Sequence, residues 1–233
     1  MDTDYVDDII QGNLHLKRSE TLTDSLYSCF RQTVVLGKLT AGTQINEERL
    51  SKSLHISRTP IRTALDRLAS EHLVKRVPGE GVVVLGISLR DVEELYEIRK
   101  ALEPLGFIKA AHNMEEADFE NMRLLLERGE KENAEGDVDA VVANFNEFNQ
   151  FVLGHASMAR LQDIVDGISV YLSYFRNIAI RKSARREIAL KEHWDIYLAM
   201  RFSSDEKIRT EVEAHLLNNY RFVAKVMGGL GIA

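Results

Sequence analysis

The chain has 233 residues, 45% of them hydrophobic and 28% charged, with a formal net charge of -6. That mixture excludes collagen-like, disordered and membrane-spanning classes and suits one large or two ordinary cored domains. No apolar run approaches the roughly 20 residues that cross a bilayer, and the opening MDTDYVDDII is acidic where a secretory leader is basic, so a cytoplasmic protein with no membrane partner is expected.

The charge is unevenly spread. Residues 1–16, an acidic N-terminal extension, carry -4; residues 17–86 carry +4; residues 87–233 carry -6. One basic block inside an acidic chain is the pattern of a DNA-binding module joined to a domain with another task. Between Thr23 and Leu36 the apolar residues Leu26, Tyr27, Phe30, Val34 and Val35 recur at helical spacing, with Thr23 as N-cap and Gly37 just past the end. The single cysteine, Cys29, falls in this pattern and is expected to be a reduced, buried thiol without a role. Asn46, Glu47 and Glu48 mark the next helix start, and Leu50 and Leu54 give that short helix its inward face. Ser57 is placed to cap a third helix of about 13 residues, whose first turn tolerates Pro60 because it donates no intrahelical bonds. After His72 the period changes: LVKRVPGEGVVV reads as a hairpin turning at Pro78-Gly79-Glu80-Gly81. The order predicts a winged helix-turn-helix over residues 17–86.

Beyond Ser88 the pattern is helical almost to the end, in six segments near 89–112, 115–133, 137–154, 158–180, 184–202 and 205–227. The joints GDVD, GHAS and FSSD are short, which predicts an all-α antiparallel bundle over residues 87–233 and a mainly α protein overall. Pro104 is expected to break and kink the first of these helices, and the tail GGLGIA to fray. No phosphate loop, nucleophile–base pair or complete metal triad is present, so an enzyme is not expected.

In the third helix Ile61, Leu65 and Leu68 return to one side, leaving Arg58, Thr59, Arg62 and Thr63 facing out at its N-terminal half. A recognition helix inserts that end into the major groove, where arginine donates two hydrogen bonds to guanine and threonine meets a base edge or a thymine methyl. Lys75 and Arg76 sit at the base of the hairpin, within reach of the backbone or the neighbouring minor groove.

ISRTPIRTALDRLASEHLV resembles the signature of GntR-type bacterial repressors, and ISLRDVEELYEIRKALEPLGFIKAA, with KEHWDIYLAM and EVEAHL further on, resembles their FadR-like (FCD) effector domain. The resemblance implies that Ser57, Arg58, Thr59 and Arg62 contact operator bases and phosphates and that Gly79 lets the wing tip approach the DNA. Three positions depart from it. Glu48 stands where many members have a DNA-contacting arginine, Glu80 where a wing arginine is common, and Thr63 where glutamate is usual. The two glutamates place negative charge near phosphates.

The resemblance also implies a pocket in the bundle where an aspartate and three histidines hold zinc or nickel. His193 and His215 match the last two histidines, but Phe145 and Asn149 stand at the aspartate and first histidine. His155 lies about 240° around the helix from Asn149 and cannot substitute. Two imidazoles are too few for a closed site, so no cofactor is assigned: a divalent metal is disfavoured, with His193 and His215 the residual candidates. The alternatives are a metal-free effector pocket lined by Asn149, His193 and His215, or histidines that satisfy core hydrogen bonds. Arg99 matches an arginine that many members direct into the cavity and would clamp a carboxylate or phosphate, unless it pairs with Glu103 one turn on. His15, His55, His72 and His112 are expected at the surface.

The expected function is a homodimeric, ligand-responsive regulator, a repressor by family resemblance, on an inverted-repeat operator in double-stranded DNA. Its effector is an organic acid or other anionic metabolite. The alternative is a constitutive DNA-binding regulator with a degenerate, ligand-free pocket.

Overall fold

A computed structural model describes residues 4–16 and 20–232, with the backbone alone at position 174, and its chain divides between Ile87 and Ser88 into two units. The first holds helices α1 (Asp4–Asn13), α2 (Leu22–Val35), α3 (Glu47–Ser53) and α4 (Arg58–Ser70) and strands β1 (Gln44–Ile45), β2 (Val74–Val77) and β3 (Gly81–Val84). The strands form one antiparallel sheet of order β1-β3-β2, with Ile45 opposite Val82 and Val77 opposite Gly81.

The cap of α2 is Thr21 and not Thr23. Thr21 Oγ1 accepts the Asp24 amide at 3.1 Å while its hydroxyl donates to the Asp24 carboxylate at 2.6 Å, which a hydroxyl residue three places ahead of an aspartate can do and Thr23, adjacent to it, cannot. Asn46 caps α3 by accepting the Arg49 amide. Ser57 stands at the start of α4 in extended conformation, but its side chain makes no capping bond there. Ile61, Ala64, Leu65 and Leu68 bury one stripe of α4, which packs on α2 and α3, where Leu26, Phe30 and Leu50 are likewise inaccessible to solvent.

Two elements were not anticipated. Within the acidic extension Asp4–Asn13 is helical: Val6 and Ile10 of α1 are buried, and Asp7 pairs with Arg49 at 3.0 Å. The two-residue strand β1 completes the base of the wing.

The second unit is a bundle of α5 (Leu89–Asn113), α6 (Glu116–Glu135), α7 (Val138–His155), α8 (Ala159–Ile180), α9 (Ser183–Phe202) and α10 (Asp205–Gly229). Ser88 and Asp91 form a capping box at the start of α5, and Gly136 ends α6 in the left-handed conformation (φ 76°) that glycine adopts without strain. α5 packs along α10 and against α7 and α8, and α6 packs against α7 and α9. α5 runs on through the buried Pro104 as one helix rather than breaking there. Of the GGLGIA tail, Gly228 and Gly229 belong to α10 and Leu230 closes it by donating to the Val226 carbonyl, so the helix runs two residues past the expected end at 227. No helix of the described residues is long and apolar enough to cross a membrane.

Candidate nucleic-acid interface and effector site

Ser57, Arg58, Thr59, Arg62 and Thr63 are all exposed on the N-terminal half of α4, because the inward positions of that helix are taken by Ile61, Ala64, Leu65 and Leu68. Lys75 and Arg76 are exposed on β2, and Gly79 turns the wing tip at φ 84° with nothing within 4 Å of where a Cβ would stand. The candidate DNA residues therefore share helix α4 and the wing that follows it.

The arginines are not idle. Arg58 meets Glu48 at 2.6 Å, Arg62 meets Glu47 at 3.3 Å, and Arg76 meets both Glu47 at 2.6 Å and Asp66 at 2.7 Å. Glu48 also takes Lys52 at 3.1 Å, and that bond with the Arg58 charge holds its carboxyl below the usual range. Glu48 is thus not the bare negative charge that its position in the sequence suggested. Glu80 accepts from Gln44 at the wing tip at 3.3 Å. Glu47, which the sequence marks only as a helix-start acid, and Asp66, which it does not mark at all, organise the arginines; acids at a helix start or on a polar face are too commonplace to signal this.

In the bundle interior, His193 of α9 is held between aromatic rings of α7. Phe148 stacks on it at 4.2 Å with 9° between planes, and Phe145 meets it edge-on at 4.8 Å. The His215 ring of α10 lies 4.9 Å from it. His215 Nδ1 bonds the Glu192 carboxylate at 2.8 Å and its Nε2 accepts from the Asn219 amide at 2.8 Å. Arg185, only 1% exposed, donates from both terminal nitrogens to Glu192 at 3.1 Å and to Asn219 Oδ1 at 2.6 Å. Burial, then the neighbouring His215, Arg185 and Arg176 charges, push His193 far below its usual value. Burial also lowers His215, outweighing its bond to Glu192. Glu192 itself stays low: its bonds from His215 and Asn218 and the charge of Arg185 overcome the opposing effect of burial. Neutral imidazoles beside a carboxylate and a guanidinium follow.

Arg99 does pair with Glu103, and both are about 2% exposed. Its Nη1 is nevertheless buried with no partner among the described residues, as are Tyr96 Oη and His193 Nδ1. Asn149 is engaged on its own helix, donating to the Phe145 carbonyl at 2.9 Å. The surface histidines fall as expected, His15, His55, His72 and His112 all being exposed.

A zinc or nickel ion does not fit these residues. Both ring nitrogens of His215 are committed, and no group of three or more metal-ligating side chains occurs among the described residues. Nothing in the sequence marks Arg185, Glu192 or Asn219, since buried polar and charged residues share their spacing with exposed ones.

Residues 94–218 match the FCD domain model and residues 22–84 the model for bacterial regulatory proteins of the gntR family. The chain is 26% identical over 205 residues to the uncharacterized HTH-type transcriptional regulator YdhC of Bacillus subtilis, covering 86% of this chain and 90% of that protein. It is 22% identical over 208 residues to the HTH-type transcriptional repressor RspR of Escherichia coli, covering 86% and 88%. The solved structure of E. coli McbR/YncC superposes with a TM-score of 0.64 at 20% identity, over 88% of this chain and 98% of that one.

Proposed function

Because the chain belongs to the GntR family of bacterial regulators, in the branch bearing an FCD domain, it is a transcriptional regulator rather than an enzyme, and we propose that it represses from an inverted-repeat operator as a cytoplasmic homodimer released by a small anionic metabolite. The observation that supports this reading is the outward set Arg58, Thr59, Arg62 and Thr63 on α4 with Lys75, Arg76 and Gly79 on the adjoining wing. Ser57, Arg58, Thr59 and Arg62 read bases and phosphates, and Lys75, Arg76 and Gly79 carry the wing's backbone contacts. One module covers too little groove for tight specific binding, which is why a dimer on two half-sites is part of the proposal. Repression is supported by relatives such as RspR, which is named a repressor.

Arg99, His193 and His215 line the effector site in this reading, with Asn149 at its edge. The effector acts by binding two states of the regulator with different affinity. The packing of Phe145 and Phe148 on His193 favours a second reading, a constitutive regulator whose bundle is a packed core. A gel shift on the operator with and without a bacterial metabolite extract decides between them: altered binding supports the effector reading and unaltered binding supports the constitutive one. Footprinting that found a monomer on a single half-site would overturn the dimer.

A further inference from the structure

Helix α1 grips α3 along one seam. Beside its buried Val6 and Ile10, Asp7 accepts from Arg49 Nε at 3.0 Å, while Gln11 donates to the Ser53 carbonyl at 3.0 Å and to its hydroxyl oxygen at 3.1 Å. Two residues one turn apart on α1 thus match two residues one turn apart on α3. The other edge of α1 is fastened to the loop after α2: Lys38 Nζ donates to Asn13 at 2.6 Å, and the Tyr5 hydroxyl donates to the Lys38 carbonyl.

α3 is the first helix of the helix-turn-helix, the one that crosses the phosphate backbone when the second enters the groove. Its first turn abuts the outward arginines, since Glu47 takes Arg62 and Arg76 and Glu48 takes Arg58. Arg49 is the next residue of that turn. α3 has two cations, and each meets a carboxylate: Lys52 meets Glu48 of its own helix, and Arg49 meets Asp7 of α1. The second carboxylate is thus supplied from outside the helix-turn-helix, by a helix that carries Asp4, Asp7 and Asp8 and no base. The Arg49 side chain is 32% exposed, so solvent still reaches it.

We propose that Arg49 contacts the DNA backbone and that Asp7 competes with phosphate for it, so that α1 sets how strongly the regulator grips duplex without changing which bases it reads. This rests on the reading of α4 and the wing as the operator interface and adds to it a residue and its brake. Arginine meets phosphate with the same planar fork that it offers a carboxylate, so the two anions are alternatives at one guanidinium. A phosphate carries no sequence information, and the effect is therefore the same on every duplex. The exchange leaves α1 seated, because Val6, Ile10, Gln11 and Asn13 make their contacts without Asp7.

The test is fluorescence anisotropy over a sodium chloride series, on a duplex that the full chain selects from a random library and on an unselected duplex of equal length. Arg49→Gln is expected to weaken both severalfold and to lower the salt slope by about 0.9 per half-site, whereas Arg49→Lys, which keeps the charge, retains most of the slope. Asp7→Asn should strengthen both duplexes severalfold, and that gain should vanish in Asp7→Asn/Arg49→Gln. Asp8→Asn removes the same formal charge from an exposed carboxylate of the same helix and should change binding by less than about twofold. The contrast between Asp7 and Asp8 decides the matter even where Arg49→Gln does not fold. The proposal is overturned if Arg49→Gln binds as the parent does, if its loss is confined to the selected duplex, if Asp7→Asn weakens binding or matches Asp8→Asn, or if the gain persists in the double variant. Should the parent select no duplex while the variants behave as expected on the unselected one, the brake stands and the operator reading fails. Should the parent select a duplex that Arg49→Gln binds unchanged, the brake fails and the operator reading stands.

Discussion

Arg76 on the first strand of the wing donates to Glu47, on the helix ahead of α4, across 2.6 Å. The same carboxylate takes Arg62 at 3.3 Å, so one side chain that is only 14% exposed links α4 to the wing. Such exposed pairs contribute about 0–1 kcal/mol to stability, and their weight is in where they hold the arginines.

Glu47→Gln should leave the fold intact while freeing Arg62 and Arg76. Affinity for random duplex is expected to rise severalfold and the operator-to-random ratio to fall, because a negative charge near phosphates is lost and two cations are released. Fluorescence anisotropy on both duplexes over a salt series measures this; an unchanged ratio would show that Glu47 positions nothing.

Arg58→Ala and Arg62→Ala should each cost about 1–3 kcal/mol on the operator and relax base preference at one position per half-site. Lys75→Ala should weaken all sequences alike and lower the salt slope by about 1. If the arginine variants were as indifferent to sequence as the lysine variant, α4 would not be the reading helix.

The purified protein should contain well under one zinc or nickel per chain, and EDTA should leave its Tm unchanged, since His215 has no ring nitrogen to spare. His193→Ala should blunt the effector response without abolishing operator binding. Near-stoichiometric metal by elemental analysis, lost in His193→Ala/His215→Ala, would contradict this.

Cys29 is 3% exposed and its thiol is pushed by burial up to about 11, so almost no thiolate exists at pH 8. Ellman's reagent should therefore be silent on the native protein and titrate one thiol per chain in denaturant. Rapid native labelling would show that the region around α1 opens readily.

The bundle helices were legible because each carries a long apolar stripe between short polar joints, and α4 because Ile61, Leu65 and Leu68 fix its inward side. Helix α1 was not legible: its buried Val6 and Ile10 stand among aspartates, too few to reveal a period. Thr21 and Thr23 are equivalent as letters, and only the position of Asp24 relative to the first turn selects Thr21. In the bundle, Phe145 and Asn149 stand where the family resemblance implies an aspartate and a histidine. The charges that fill their surroundings were hidden, because Arg176, Arg185 and Glu192 look in sequence like any polar residue of a helix and only packing reveals which are buried.

The seat of α1 on the first unit has a practical side. The family match begins at residue 22, an inviting place to trim the chain for isolated work on the DNA-binding half. Such trimming would strip away Ile10, which is wholly buried and whose carbonyl faces the Cys29 sulfur at 3.7 Å. The shortened protein would present a sticky apolar patch with a newly reachable thiol at its centre. In air it would cross-link to itself, and the resulting covalent pair would be easily mistaken on a sizing column for a native dimer.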